Sequence, residues 1–105
     1  MIKATTILLL FLLLLTALSS CKNVPVACFT VSTPADSIKV GTVVMFNAGC
    51  SSDATAYYWD FGNGMDTNSV VAHTTYTTVA TYSVALVVGN SGKSASVTKS
   101  IVVLP

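Results

Sequence analysis

The sequence predicts an all-β sandwich of about seven short strands, carried behind an export leader. Three observations predict it. After Cys21, Val and Thr dominate, Glu, Gln and Arg are absent, and Leu occurs only as Leu86 and Leu104; that composition disfavours helix and favours strand. Short apolar, β-branched runs recur between Gly, Pro, Asn and Ser breakers. Tyr82, Val84, Leu86 and Val88 alternate strictly, the period of a half-buried strand.

The leader comes first. Lys3, the apolar run Ile7 to Leu15 and the small residues before Cys21 have the order of an exported segment. Even counted to Leu18, the run is roughly twelve residues, whereas a membrane-spanning helix needs about twenty. "LSSC" (Leu18 to Cys21) resembles the bacterial lipobox. That resemblance implies a lipoprotein signal peptide over residues 1–20, cleaved so that Cys21 becomes the lipidated N-terminus, with palmitate among its acyl chains. Several chains anchor far more firmly than one, which binds marginally and reversibly. Residues 21–25 then form the lipidated cysteine and a short tether, and residues 26–105 the folded domain, held close to the bilayer.

The strand-like runs follow in order. "VACFTVST" (Val26 to Thr33) is the first, and "PADSIKVG" reads as a loop with Pro34 and Gly41 as breakers. "TVVMFNA" (Thr42 to Ala48) and "TAYYWDF" (Thr55 to Phe61) are the second and third. Asn63-Gly64 predicts a two-residue turn with positive φ at both positions. "NSVVAHTTY" (Asn68 to Tyr76) and "TYSVALVV" (Thr81 to Val88) come next, then a hairpin turn at "GNSG" (Gly89 to Gly92) and a last run from Lys93 to Leu104.

Charge excludes some partners. Without Lys3 the chain keeps four lysines and four aspartates, so its side-chain charge is near zero. No basic stripe exists to neutralise phosphates, which speaks against nucleic acid. Of three cysteines, Cys28 and Cys50 remain after lipidation of Cys21. Outside the cytosol a disulfide between them is favoured; it would contribute roughly 3 kcal/mol in the chain-entropy description. Two free thiols or a metal pair are the competing readings, though a site with His73 as the chain's one histidine is incomplete.

"YYWDFGNG" (Tyr57 to Gly64), "HTTY" (His73 to Tyr76) and "TYSVALVV" together resemble the PKD domain, whose pattern reads approximately Y-x-W-D-F-G-D-G, H-x-Y and G-T-Y-x-V-x-L. The resemblance extends to "FTVS" and "GTVVMFNA" upstream and covers about Val24 to Leu104. It implies an Ig-like, seven-stranded β-sandwich and marks Trp59, Asp60, Phe61, Gly62, Gly64, His73, Tyr76 and Tyr82 as structural positions of the motif. Asn63 stands where the family usually has Asp, removing an acidic group. Val79-Ala80 stand where a Gly usually precedes the "TY", so the turn there forms without glycine's tolerance.

The aromatic cluster divides by parity. Tyr57, Trp59 and Phe61 share one face, and Trp59 is expected in the core, its indole N–H seeking a partner. Tyr58 and Asp60 point the other way. Asp60 is expected to accept backbone N–H bonds that brace the following turn, and Tyr57 or Tyr58 is the candidate ligand contact. His73, at the "H-x-x-Y" corner, is expected to make a structural hydrogen bond. Asp60, Asn63 and Asp66 do not form a calcium loop, because Gly62 and Gly64 fall where oxygen ligands are required. "DFG" lacks every other kinase element. No paired carboxylates or activated nucleophile can be named, so neither catalysis, a small-molecule substrate, a cofactor nor a metal is expected. "DSI" (Asp36 to Ile38) resembles a three-residue O-glycosylation pattern, but a plain loop is the simpler reading.

These features point to a non-catalytic, lipid-anchored module of the bacterial cell envelope, on the outer membrane in a Gram-negative cell, since Lys22 rather than Asp follows Cys21. Its expected role is adhesion or protein binding, and its expected partner an envelope protein or a glycan, met through loops or a sheet edge. A carbohydrate-binding module and a structural accessory lipoprotein are the alternatives. The carbohydrate reading requires an exposed aromatic on a flat face.

Overall fold

Alternating burial along each strand is what makes two facing sheets of this chain. Residues 23–105 are described by the structure, a computed structural model; the leader, Cys21 and Lys22 lie outside the described residues. The strands are β1 (Thr30–Val31), β2 (Ile38–Lys39), β3 (Val43–Asn47), β4 (Ala56–Asp60), β5 (Asp66–Thr67), β6 (Val71–Thr75), β7 (Ala80–Asn90) and β8 (Lys93–Leu104), with no helix among the described residues. One sheet has the order β1-β3-β6 and the other β2-β8-β7-β4-β5. Pairing is antiparallel except between β2 and β8, where Ile38 lies opposite Val103 in parallel.

Two of these strands lie in stretches whose sequence reads as loop or turn. β2 forms between the breakers Pro34 and Gly41 because Ile38 is buried and its neighbour pairs with the far end of the chain. β5 is two residues long and completes the other margin against β4. The expected first strand, Val26 to Thr33, is strand only at Thr30–Val31. Upstream, the ladder is replaced by other bonds. Val26 and Ser52 exchange two backbone hydrogen bonds of 3.0 and 3.1 Å. The Ser51 hydroxyl donates to the Cys28 carbonyl at 2.8 Å and accepts from the Cys28 N–H at 3.0 Å. Cys28 and Cys50 are joined by a disulfide with Cα atoms 5.3 Å apart.

The core lies where β3, β4 and β7 face one another. Val44 and Phe46 of β3, Trp59 of β4, and Val84, Leu86 and Val88 of β7 are all fully buried. Trp59 sits among three phenylalanines, with ring centroids 5.1 Å from Phe29, 5.8 Å from Phe46 and 6.0 Å from Phe61. Each such side chain contributes about 1.5–3 kcal/mol by leaving water, so this cluster dominates the stability of a small domain. The Trp59 indole N–H donates to the Ser69 carbonyl at 2.6 Å, which pins the crossing from β5 to β6.

The turns differ from expectation in one place and agree in another. Asn63-Gly64 is not a two-residue turn: β4 and β5 are joined by the five residues 61–65, and positive φ falls on Gly62 and Gly64 rather than Asn63. Asn63 keeps ordinary φ because its side chain caps the loop, accepting from the Met65 N–H at 3.1 Å. The two-residue turn occurs instead at Ser91-Gly92, with φ of 38° and 86°, closing the long β7–β8 hairpin. Val79 and Ala80 take ordinary φ, so glycine is not required before "TY".

One position of inward parity, exposed at the margin of β8, is charged. The register Val84↔Lys99 gives Lys99 the parity of Val97 and Ile101, facing the opposite sheet. Its ammonium donates to the Phe29 carbonyl at 2.6 Å and lies 4.7 Å above the centre of the Phe29 ring.

Candidate interaction surface

The "WDFG" cluster is mostly a structural peg. Trp59 and Phe61 are buried, Tyr57 is half-buried against the core, and Tyr58 and Asp60 face out. Asp60 Oδ1 accepts the Gly62 N–H at 2.9 Å, the bond expected of it, and the Phe61 N–H donates to the Met65 carbonyl at 3.2 Å. Gly62 combines a φ of 77° with a close approach: a Cβ there would lie 2.6 Å from the Ser83 carbonyl oxygen. Tyr76 closes the corner. Its hydroxyl donates to the Phe61 carbonyl at 2.8 Å, and its ring packs 4.5 Å from that of Tyr82. Burial pushes the Tyr76 phenol well above the ordinary tyrosine range, with Tyr82 and Asp60 adding to the effect. The structural bond expected of His73 is thus made by Tyr76; His73 faces outward on β6, and its imidazole makes no hydrogen bond among the described residues.

Two exposed regions remain. The first is the outer face of the five-stranded sheet. Register aligns Tyr58 with Val87 and Ser96, and Asp60 with Ala85 and Thr98, giving a face of mostly small side chains around one aromatic. Tyr58 is 44% exposed, and its hydroxyl reaches Asp66 Oδ2 at 3.3 Å across the β4–β5 margin. The Asp66 charge, with lesser contributions from partial burial, that hydrogen bond and Asp60, holds the Tyr58 phenol above its usual range. Beside this margin a groove of about 260 Å³ runs between β5 and β6, with Phe61 and Ala72 as floor and Met65, Asp66, Thr67, Ser69 and His73 along its walls. Carboxylate, hydroxyl and imidazole groups alternate there with apolar surface. That mixture suits a hydroxyl-rich ligand or a polar peptide.

The second region, not anticipated from the sequence, is the outer face of the three-stranded sheet. Val43, Met45 and Val71 are 62%, 48% and 44% exposed, and Met45 lies opposite His73 in the ladder. A shallow hollow of about 210 Å³ lies beside Met45 and Asn47, against Thr30 and Ser32. The signal was present in "TVVMFNA", where both parities are apolar: Val44 and Phe46 fill the core and leave Val43 and Met45 outside.

Asp60 and Asn63 spend oxygen atoms on backbone N–H groups of their own loop. Among the described residues no three His, Cys, Asp or Glu side chains converge on a point where a metal could bind.

Comparison with known proteins agrees with this architecture. The family described as the PKD domain matches residues 25–104. The PKD1 domain of the Vibrio cholerae metalloprotease PrtV superposes with a TM-score of 0.65 at 32% identity, covering 77% of this chain and 98% of that one. The PKD1 domain of Vibrio anguillarum Epp gives 0.66 at 28% identity, covering 81% and 100%. A chain solved in work on the structural basis for the promiscuous specificity of carbohydrate-binding modules from the β-sandwich superfamily gives 0.71 at 36% identity; it covers 79% of this chain, which in turn spans only 35% of that one. No curated protein is significantly similar to the chain.

Proposed function

We propose that this chain, which belongs to the PKD-domain family, is a non-catalytic binding module held at the bacterial cell envelope by lipid on Cys21, and that its ligand is a glycan. One observation carries the choice of ligand: Tyr58 lies exposed on the outer face of the larger sheet, with its hydroxyl steadied by Asp66. An aromatic ring so placed stacks on the apolar face of a sugar, and its bond to a carboxylate limits the rotamer freedom lost on binding. The adjoining groove supplies Asp66, Thr67 and His73 as partners for sugar hydroxyls. Likeness to a chain from carbohydrate-binding work supports the same reading. The lipid anchor rests on the "LSSC" sequence and the leader before it, and outer-membrane placement rests on Lys22.

A second reading has its own observation. The exposed Val43, Met45 and Val71 form an apolar patch on the smaller sheet, of the kind that marks a protein contact. A protein partner would use that face and leave Tyr58 uninvolved.

The test uses a soluble chain beginning at Lys22, mixed with a panel of insoluble polysaccharides and sedimented. Binding to one polymer that falls at least tenfold in Tyr58→Ala, with the fold retained, supports the glycan. Absence of binding across the panel, by a folded domain, removes it and leaves the protein partner.

A further inference from the structure

The tether between lipid and domain is shorter than the sequence alone implies. Asn90, 3% exposed, stands at the end of β7 where the long hairpin turns. Its side-chain amide donates to the Asn23 carbonyl at 2.9 Å and also to the Asp53 carbonyl. Pro25 is buried, Val26 is bridged to Ser52, and Cys28 is bonded to Cys50. Asn23, Pro25, Val26 and Cys28 are thus each held to the base of the sandwich, and only Lys22 separates Cys21 from the first residue that the fold holds.

We infer that the end of the sandwich formed by Asn23, Asp53 and the Asn90–Lys93 turn is a membrane-facing surface, and that Asn90 sets the domain upright on a lipid bilayer. The inference rests on the lipid-anchored reading of Cys21. Two residues span at most about 7 Å, so this end lies against the headgroups. β7 runs away from it for 11 residues, about 35 Å at the usual rise, which places Ala80 at the far end. Gly41, whose N–H donates to the Tyr76 carbonyl at 2.9 Å, marks the same end. Tyr58 pairs with Val87, three residues from Asn90, and so sits about 10 Å above the base. In this pose both sheet faces stand perpendicular to the bilayer, open to a ligand passing alongside, and nothing on the domain reaches beyond about 40 Å from the membrane.

The experiment takes the full chain, processed and acylated in a bacterial host, and reconstitutes it in a supported bilayer of phosphatidylethanolamine and phosphatidylglycerol. Neutron reflectivity then measures the thickness of the protein layer. The expected layer is about 35–40 Å thick, starting at the headgroups. A stably held layer of about 20 Å, the width of two packed sheets with their side chains, means the domain lies flat and overturns the inference while sparing the anchor. If washing removes the layer entirely, the anchor reading fails and the inference fails with it. Asn90→Ala is expected to keep the bound mass but give a thinner, more diffuse layer; an unchanged profile overturns the role of Asn90. A second variant, with six Gly/Ser residues inserted between Lys22 and Asn23, leaves the base intact and keeps the test valid should Asn90→Ala misfold. It is expected to lift the layer from the headgroups and blur it, and an unaltered profile counts equally against the inference.

Discussion

The Tyr76 hydroxyl lies 2.8 Å from the Phe61 carbonyl and joins the end of the smaller sheet to the "WDFG" turn of the larger one. Both residues are buried, so the bond has no water to replace it. Tyr76→Phe leaves that carbonyl without its donor and is expected to cost about 1–2 kcal/mol. The urea midpoint should fall with an unchanged slope.

The same phenol gives the domain an alkaline limit. Burial raises the Tyr76 pKa in the folded state above its unfolded value near 10. Sign follows from proton binding: above that pH the unfolded chain releases the proton while the folded one keeps it. Stability from this group is thus complete below about pH 10 and declines as pH rises further. Urea midpoints measured from pH 8 upward should show that decline in the native chain and a flatter profile in Tyr76→Phe.

Gly62 has no substitute. A side chain there meets the Ser83 carbonyl at 2.6 Å while the backbone holds a φ of 77°, so neither rotation nor a small shift of Ser83 removes both conflicts. Gly62→Ala should destabilise by at least about 2 kcal/mol. Gly64→Ala, with open space around it, should cost only the backbone term of about 1 kcal/mol. Thermal unfolding of the two variants side by side separates the contributions.

Asn63 is expected to resist reversion to the acid usual in its family. Its amide nitrogen donates to Thr74 Oγ1 at 3.2 Å and to the Thr75 carbonyl at 3.5 Å, tying the loop to β6. A carboxylate cannot donate and would add a third negative charge beside Asp60 and Asp66. Asn63→Asp should therefore lower stability by about 1 kcal/mol, with a partial recovery in high salt.

Reduction of Cys28–Cys50 removes the one covalent tie between the segment before β1 and the loop before β4. The bridge closes a sequence separation of 22 residues and is expected to contribute about 3 kcal/mol. For a domain this size that is roughly 15 °C in Tm. Calorimetry with and without a phosphine reductant measures it.

What the sequence revealed, and what it hid, follows the range of the interactions. Trp59, Asp60 and the β7 alternation were legible because burial parity and the Asx bond act within a few residues. β2 was not, since Ile38 becomes strand only by lying beside Val103. The Asn63-Gly64 pair was misread for a related reason: loop length is decided by where β5 pairs, not by the dipeptide. Tyr58 was identified as outward from parity alone, whereas its tie to Asp66 depends on the β4–β5 register. Asn90 read as one more turn residue because nothing local shows that Asn23 and Asp53 converge on it. Ser51, which stands in for a strand by bonding both backbone groups of Cys28, gave no signal at all.

Lys99 acquires a further meaning if the domain is anchored as proposed. The margin of β8 carries β2 only at Val103 and Leu104, and from Lys93 to Ser100 it faces no strand among the described residues. Such a margin invites pairing with another chain. Copies standing on one membrane share a single up direction, so two identical margins can meet only with their strands parallel, the slightly weaker arrangement. In register, that meeting brings one Lys99 beside another, each already committed to its own Phe29 carbonyl. Crowding in the plane of the membrane would otherwise favour a ribbon of linked sheets. On the proposed anchor, a lysine on this margin that reaches across to the Phe29 carbonyl would keep the neighbours separate.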